Sequence, residues 1–215
     1  MMTILRSLVI LAAAALASGC ATSRGILDVS QTAVDNPDTG VAVAIVRVSD
    51  KRSFELNPRQ ADIPSLKNGE IHNESITSRA IARKRNGFGK AMGDILLPES
   101  QTVSEVVKST VADAFRNSGY RVIDRGDPEF ANAVPVEVDI NEFWAWMQPG
   151  FWQITLHHRA TIALSGPLDA LTANDDVRSE VTEGFQTGSE GNWMKTIDAG
   201  LAQLRGNVSS AITVQ

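Results

Sequence analysis

Hydrophobic and polar positions along this chain of 215 residues fall into two periods, one of strands and one of helices. Val41 to Val48 is a nearly unbroken β-branched run between Gly40 and Ser49-Asp50, the pattern of a central strand buried on both faces. Thr102 to Ser118 changes period: Val103, Val106, Val107, Thr110, Val111, Ala114 and Phe115 recur every three or four residues, which makes one apolar stripe on a helix. Thr102-Val103-Ser104-Glu105 fits a capping box, and Gly119 can take the left-handed conformation that ends a helix. Tyr120 to Ile123 then reads as a strand, completing a β–α–β crossover.

The second half alternates again. Val134, Val136, Val138 and Ile140 interleave with Glu137, Asp139 and Asn141, giving one buried and one solvated face. Gln148-Pro149-Gly150-Phe151 forms a turn, and a long strand runs from Trp152 to Leu164. Val177 to Thr187 is a further strand. From Asn192, Ile197, Leu201, Leu204 and Val208 predict a last helix reaching about Val214. The expected fold class is α+β: a two-layer sandwich with a mostly antiparallel sheet of four to six strands and two helices packed on one face.

Two stretches resist this pattern. Residues 20–40 are small, polar and turn-rich, with one short apolar run at Ile26 to Val29, and are expected to be a tether. Residues 50–98 hold several prolines and glycines with little periodicity, and read as a long excursion from the sheet with a short strand near Ile76 to Ala82. The domain itself is expected over 41–215.

The first 19 residues combine one charge, Arg6, with an uncharged Ala/Leu-rich run from Ser7 to Gly19 that is too short to cross a bilayer. This is the layout of a secretory signal peptide. Its end, Leu16-Ala17-Ser18-Gly19-Cys20, resembles the lipobox of bacterial lipoproteins. That resemblance implies a diacylglyceryl group on the Cys20 sulfur, cleavage before Cys20 and acylation of the new amine. In Gram-negative lipoproteins the next residue sorts between membranes, and Ala21 in place of Asp implies the outer membrane. Several acyl chains hold a protein stably where one does not.

Net charge is −5, and loss of Arg6 with the signal leaves the rest one unit more acidic. A mildly acidic chain argues against nucleic acid as a partner. Cys20 is the only cysteine, so no disulfide is expected.

The order of features also carries a family resemblance. A lipobox is followed by a strand running into Asp50-Lys51-Arg52, then Arg85-Asn86-Gly87-Phe88-Gly89, an amphipathic helix ending in Ser118-Gly119-Tyr120, and strands rich in acidic and β-branched residues. In this order the chain resembles the YajG family of bacterial outer-membrane lipoproteins over about residues 20–214. The resemblance implies a non-catalytic envelope protein.

Two clusters stand out as candidate chemistry. Arg79, Arg83, Lys84, Arg85 and Lys90 are cations with no acid between Glu74 and Asp94, a local reversal of field that could attract peptidoglycan carboxylates or lipid phosphates. Trp144, Trp146, Phe151 and Trp152, with Phe143, concentrate aromatic surface at one hairpin as a candidate contact patch. Because Phe143 and Trp144 point to opposite faces of a strand, at least one aromatic is expected on the outer face or the hairpin tip. Gly87 to Gly93 matches neither phosphate-loop spacing, and Arg85-Asn86-Gly87 reads better as a hairpin turn. His157 and His158 are adjacent on a strand, so their rings diverge, and no metal site or catalytic residue is expected.

The function expected from these features is a lipid-anchored factor on the periplasmic face of the outer membrane. It would act without catalysis in binding, assembly or regulation of the cell envelope, with peptidoglycan or an envelope protein complex as partner. No cofactor is expected beyond the covalent lipid. The alternative is a lipid or small-ligand carrier associated with an envelope transport system.

Overall fold

The computed structural model describes residues 23–30, 34–171 and 176–213. Eleven elements follow in chain order: β1 (Gly25–Ile26), β2 (Ala42–Asp50), α1 (Glu74–Thr77), β3 (Ala80–Arg85), β4 (Ala91–Leu96), α2 (Val103–Asn117), β5 (Arg121–Val122), β6 (Val134–Pro149), β7 (Ile154–Ser165), β8 (Asp176–Phe185) and α3 (Glu190–Ile212), with short 3₁₀ turns between some of them.

The sheet is organised by β6, whose 16 residues are paired on both edges. On one edge β7 runs antiparallel along nearly its whole length, and β8 follows antiparallel to β7. The other edge is shared. β2 pairs parallel with the first half of β6, up to Ile140, and β3 pairs parallel at Ala145 and Trp146. Beyond β2 lies β5, parallel, and beyond β3 lie β4, antiparallel, and β1, parallel to β4.

This overturns the expected two-layer sandwich with a mostly antiparallel sheet. The sheet has eight strands and is mixed, with parallel pairings outnumbering antiparallel ones four to three. The reason lies in the excursion. Ala80–Arg85 and Ala91–Leu96 form a hairpin across the turn expected at Arg85-Asn86-Gly87, but three consecutive cations in one strand and Gly93-Asp94 in the other hide the alternation.

Both long helices lie on one face. Val107, Val111 and Phe115 of α2 and Trp193, Ile197 and Leu204 of α3 pack with Val136, Ile140, Phe143 and Leu156 of the sheet in one buried cluster. The capping box of α2 is formed, with Thr102 N–H donating to Glu105 Oε2 at 2.7 Å and Glu105 N–H to Thr102 Oγ1 at 3.3 Å. Gly119 follows it at φ +86°. The cap of α3 is Ser189, whose Oγ accepts from Asn192 N–H, so the helix starts ahead of the expected Asn192. α3 approaches β7 so closely at Gly200 that a Cβ there would stand 2.1 Å from His158 Nδ1.

Part of the opposite face is covered too. The segment after β2 crosses it, and Phe54, Ala61, Leu66, Ile71 and Ile76 pack against Trp144 and Trp146 in a second apolar cluster. Phe143 and Trp144 are therefore both buried, on opposite faces. Nor are residues 23–30 a free tether: β1 pairs with β4, and Leu27 and Val29 enter the main core.

Candidate functional site

Cys20, the candidate lipidation site, lies outside the described residues, but Arg24, four positions on, is held by its side chain. Arg24 donates from Nε to Asp94 Oδ1 at 2.8 Å and from Nη2 to Asp94 Oδ2 at 3.0 Å, and its Nη2 also bonds Glu70. Asp94 is fully buried and accepts a third bond, from the Lys67 backbone N–H at 3.0 Å. Burial alone would push its carboxyl upward. The bonds from Arg24 and Lys67 outweigh that and, with Arg83 nearby, hold it below the usual carboxylate range.

The five candidate anion-binding cations do not form one exposed patch. Arg83 and Arg85 are buried, because the segment after β2 covers that face of β3. Arg85 donates to the backbone carbonyls of Gly89 and Gln60, both at 2.9 Å, and so ties the hairpin to the covering loop. Arg79 Nε donates to Leu97 O at 3.0 Å. Arg83 faces Asp94 electrostatically, while its Nε and Nη1 have no hydrogen-bond partner among the described residues. Burial lowers the pKa of Arg83 and Arg85, yet a guanidinium stays charged at any ordinary pH. Lys84 is half-buried beside Ser23 O, and Lys90 is exposed in the β3–β4 turn.

The aromatic group also divides. Trp144 and Trp146 are buried under the covering segment, whereas Phe151 and Trp152 stand out at the β6–β7 turn, 89% and 84% exposed. Their rings meet edge to face, 4.8 Å between centroids. The parallel pairing of β3 with β6 brings the 86–90 turn to the same end of the sheet, and Phe88 at its tip is 97% exposed.

A cleft of about 260 Å³ opens where the covering segment meets β6 and β7. Trp144, Trp146 and Asn141 line it, with Arg159 and the carboxylates of Glu55, Asp62 and Glu142. Arg159 lies over Trp146, 5.0 Å from the ring centre, and bonds Glu180 at 3.2 Å, with Asp62 at 3.6 Å and Glu142 at 3.8 Å. His157 stacks on Trp146 at 4.9 Å with the rings nearly parallel. One arginine among several acids makes the cleft net negative. His158 points the other way, into the core, where burial lowers its pKa to about 4. Among the described residues, no three His, Cys, Asp or Glu side chains are grouped to hold a metal ion, and no helix is long and apolar enough to cross a membrane.

Sequence reasoning missed the residue that joins the two halves of the β6 edge. Between Ile140 and Ala145 that edge has neither β2 nor β3 beside it, and the Arg52 guanidinium fills the gap. It donates to Phe143 O at 3.1 Å, Ala80 O at 2.6 Å and Thr77 O at 2.8 Å, and pairs with Asp50. The only signal for it was an arginine just past the end of a buried strand. Arg24 and Arg159 left no signal beyond their charge.

No protein-family model matches the chain, and no curated protein matches it. Among solved structures, 88% of the chain is similar to 99% of an uncharacterized protein, at TM-score 0.44 and 9% identity. The same share is similar to 92% of protein XCC0632 from Xanthomonas campestris, of the family DUF330, at 0.38 and 11% identity. A putative neuraminyllactose-binding hemagglutinin homolog from Helicobacter pylori follows, with 86% of this chain and 91% of that one covered, at 0.37 and 9% identity. Likenesses of this size carry no argument about function.

Proposed function

We propose that the chain is a lipid-anchored envelope lipoprotein, akin to the YajG family, that acts by binding and not by catalysis. Cys20 carries the diacylglyceryl group and an acylated amine, and the domain stands on the periplasmic face of the outer membrane. The observation that supports this is the short distance between Cys20 and fixed backbone. Arg24 is bonded to Asp94, and β1 begins one residue later. Four residue steps from Cys20 to Arg24 span at most about 14 Å. Such a leash suits a domain that works at the membrane surface, and not one that reaches across the periplasm to the wall. The cleft beside Arg159 is the place for a partner's polar or cationic group, because its carboxylates outnumber its one guanidinium.

The test is intact-mass analysis of the native product together with fractionation of a Cys20→Ala variant. A mature chain starting at Cys20 with added acyl mass, and a Cys20→Ala protein absent from the membrane fraction, are expected. A native product with a bare cysteine overturns the reading, as does a Cys20→Ala chain that stays in the outer membrane at mature size.

A further inference from the structure

The geometry points to the two hairpin tips as a second, direct membrane contact: Phe88, Phe151 and Trp152 rest in the interfacial layer of the phospholipid bilayer and set the domain's orientation on it. This rests on the anchoring at Cys20 proposed above.

The first observation is exposure. Phe88, Phe151 and Trp152 are 97%, 89% and 84% exposed, against 49% to 61% for Ile26, Val41 and Leu56, the other exposed large apolar side chains among the described residues. Water-facing aromatic surface of this kind marks a contact site. Both tips are built to present it. Asn86 Oδ1 accepts from the N–H groups of Phe88 and Lys90 at 3.0 and 2.9 Å, and Gly150 N–H donates to Gln153 O at 2.9 Å. Phe151 and Trp152 brace each other edge to face.

The second observation is that the tips share an end. β3 and β6 are adjacent and parallel, with Arg83 opposite Trp146, so the turns that follow them project side by side. With strands about 4.8 Å apart, the axes of the two hairpins lie roughly 10 Å from each other.

The third observation is the direction of β1, which decides what the tips face. β1 runs parallel to β4, with Gly25 opposite Ile95, and β4 runs away from the 86–90 turn. Going backward along the chain from Gly25 therefore leads toward the tips, and Ser23 O lies 3.4 Å from Lys84 Nζ on the neighbouring hairpin. Extending the register sets Ser23 beside Gly93, about 7 Å short of where β4 begins. Cys20 is three residues before Ser23, a reach of at most about 10 Å. At most, then, an acylated Cys20 reaches about 3 Å past the start of β4 toward the tips, so the tips lie at or beyond the level of the anchor and the end that carries three bare aromatics is the end held against lipid. Aromatic rings are favoured at the bilayer interface, where the indole N–H stays hydrated while the ring meets acyl chains. Lys90, exposed in the same turn, falls at headgroup height.

Trp152 is its own probe, because the other tryptophans, Trp144, Trp146 and Trp193, are at most 5% exposed. The acylated full-length protein is reconstituted in phosphatidylethanolamine–phosphatidylglycerol vesicles with or without brominated acyl chains. Its emission is compared with that of a Trp152→Phe variant. The difference spectrum, which belongs to Trp152, is expected to be blue-shifted and strongly quenched by the brominated lipid. A Cys20→Ser chain is run in parallel for partition into the same vesicles. Replacing Phe88, Phe151 and Trp152 together by Ser is expected to weaken that partition at least about tenfold, since burying one aromatic side chain is already worth about that factor. Flotation of the acylated protein with an unquenched Trp152 overturns the tip contact and leaves the anchor standing. A native protein with no acyl mass on Cys20, with Trp152 of the Cys20→Ser chain still quenched, overturns the anchor and leaves the tips standing. A Trp152 that is unquenched on vesicles but cross-links to a protein in cells overturns the tip contact in favour of a protein partner.

Discussion

Arg24 and Asp94 form a two-pronged ion pair, Nε to Oδ1 at 2.8 Å and Nη2 to Oδ2 at 3.0 Å, that fastens the chain just before β1 to β4. The acid is fully buried and the arginine only partly, so the pair stands as a plug at the edge of the fold. It converts what reads as a flexible lead-in into a sheet strand.

Removing the arginine alone would leave a buried carboxylate with only the Lys67 N–H and the more distant Arg83. Arg24→Ala is therefore expected to lower stability by about 3 kcal/mol, the usual cost of stranding one partner of a buried pair. Urea unfolding at pH 7 measures it. The pH dependence has a definite sign. The folded carboxyl titrates below its unfolded value near 3.9, so its contribution is complete above that pH and is lost as pH falls through the folded value. Arg24→Ala should shrink this acid-side loss.

Arg52 is a buried guanidinium, with its side chain 1% exposed. It satisfies three backbone carbonyls and Asp50 where β2 ends and β3 takes over beside β6. A lysine ammonium cannot fork to that set. Arg52→Lys is expected to destabilise by about 2–4 kcal/mol through carbonyls left unpaired. Thermal unfolding reports the total, and amide exchange should show the loss concentrated near Thr77 to Ala82.

His158 supplies a pH effect near neutrality. Burial beside Phe143, 4.8 Å between ring centres, and against Gly200 holds its pKa at about 4, below the usual 6.5. The unfolded chain binds a proton between those values and the folded one does not, so stability falls as pH drops from about 6.5 to about 4 and is fully present above. The window corresponds to about 3 kcal/mol. Urea titrations at pH 7.5 and 5.0 should show most of that difference in the wild type. In His158→Gln, which cannot titrate, the difference should be smaller by nearly the whole amount, whatever the variant's stability at pH 7.5.

Long periodic segments were legible because their signal is local. The capping box at Thr102 and Glu105, the stripe of α2 and the alternation in β6 and β7 each depend on residues a few positions apart. The excursion was not, because β3 and β4 owe their burial to partners far away in the chain. Arg83 and Arg85 read as part of an anion-attracting basic cluster, and only the covering segment and Asp94 make them interior. The aromatic hairpin was half legible. Its composition drew attention to Trp144, Trp146, Phe151 and Trp152, but not to which pair is buried.

By itself, then, the sequence determined the two long helices, the long strands, the turn between β6 and β7 and the lipobox-like run at Cys20, all set by neighbours along the chain. Tertiary structure decided that β2 and β3 share one edge of β6, that the second face is covered over Trp144 and Trp146, and that Phe88 stands at the same end as Phe151 and Trp152. The physical reason is that strand pairing joins residues by hydrogen bonds across tens of positions. A single strand's pattern shows which faces it would bury, but carries no mark of the neighbour that buries them.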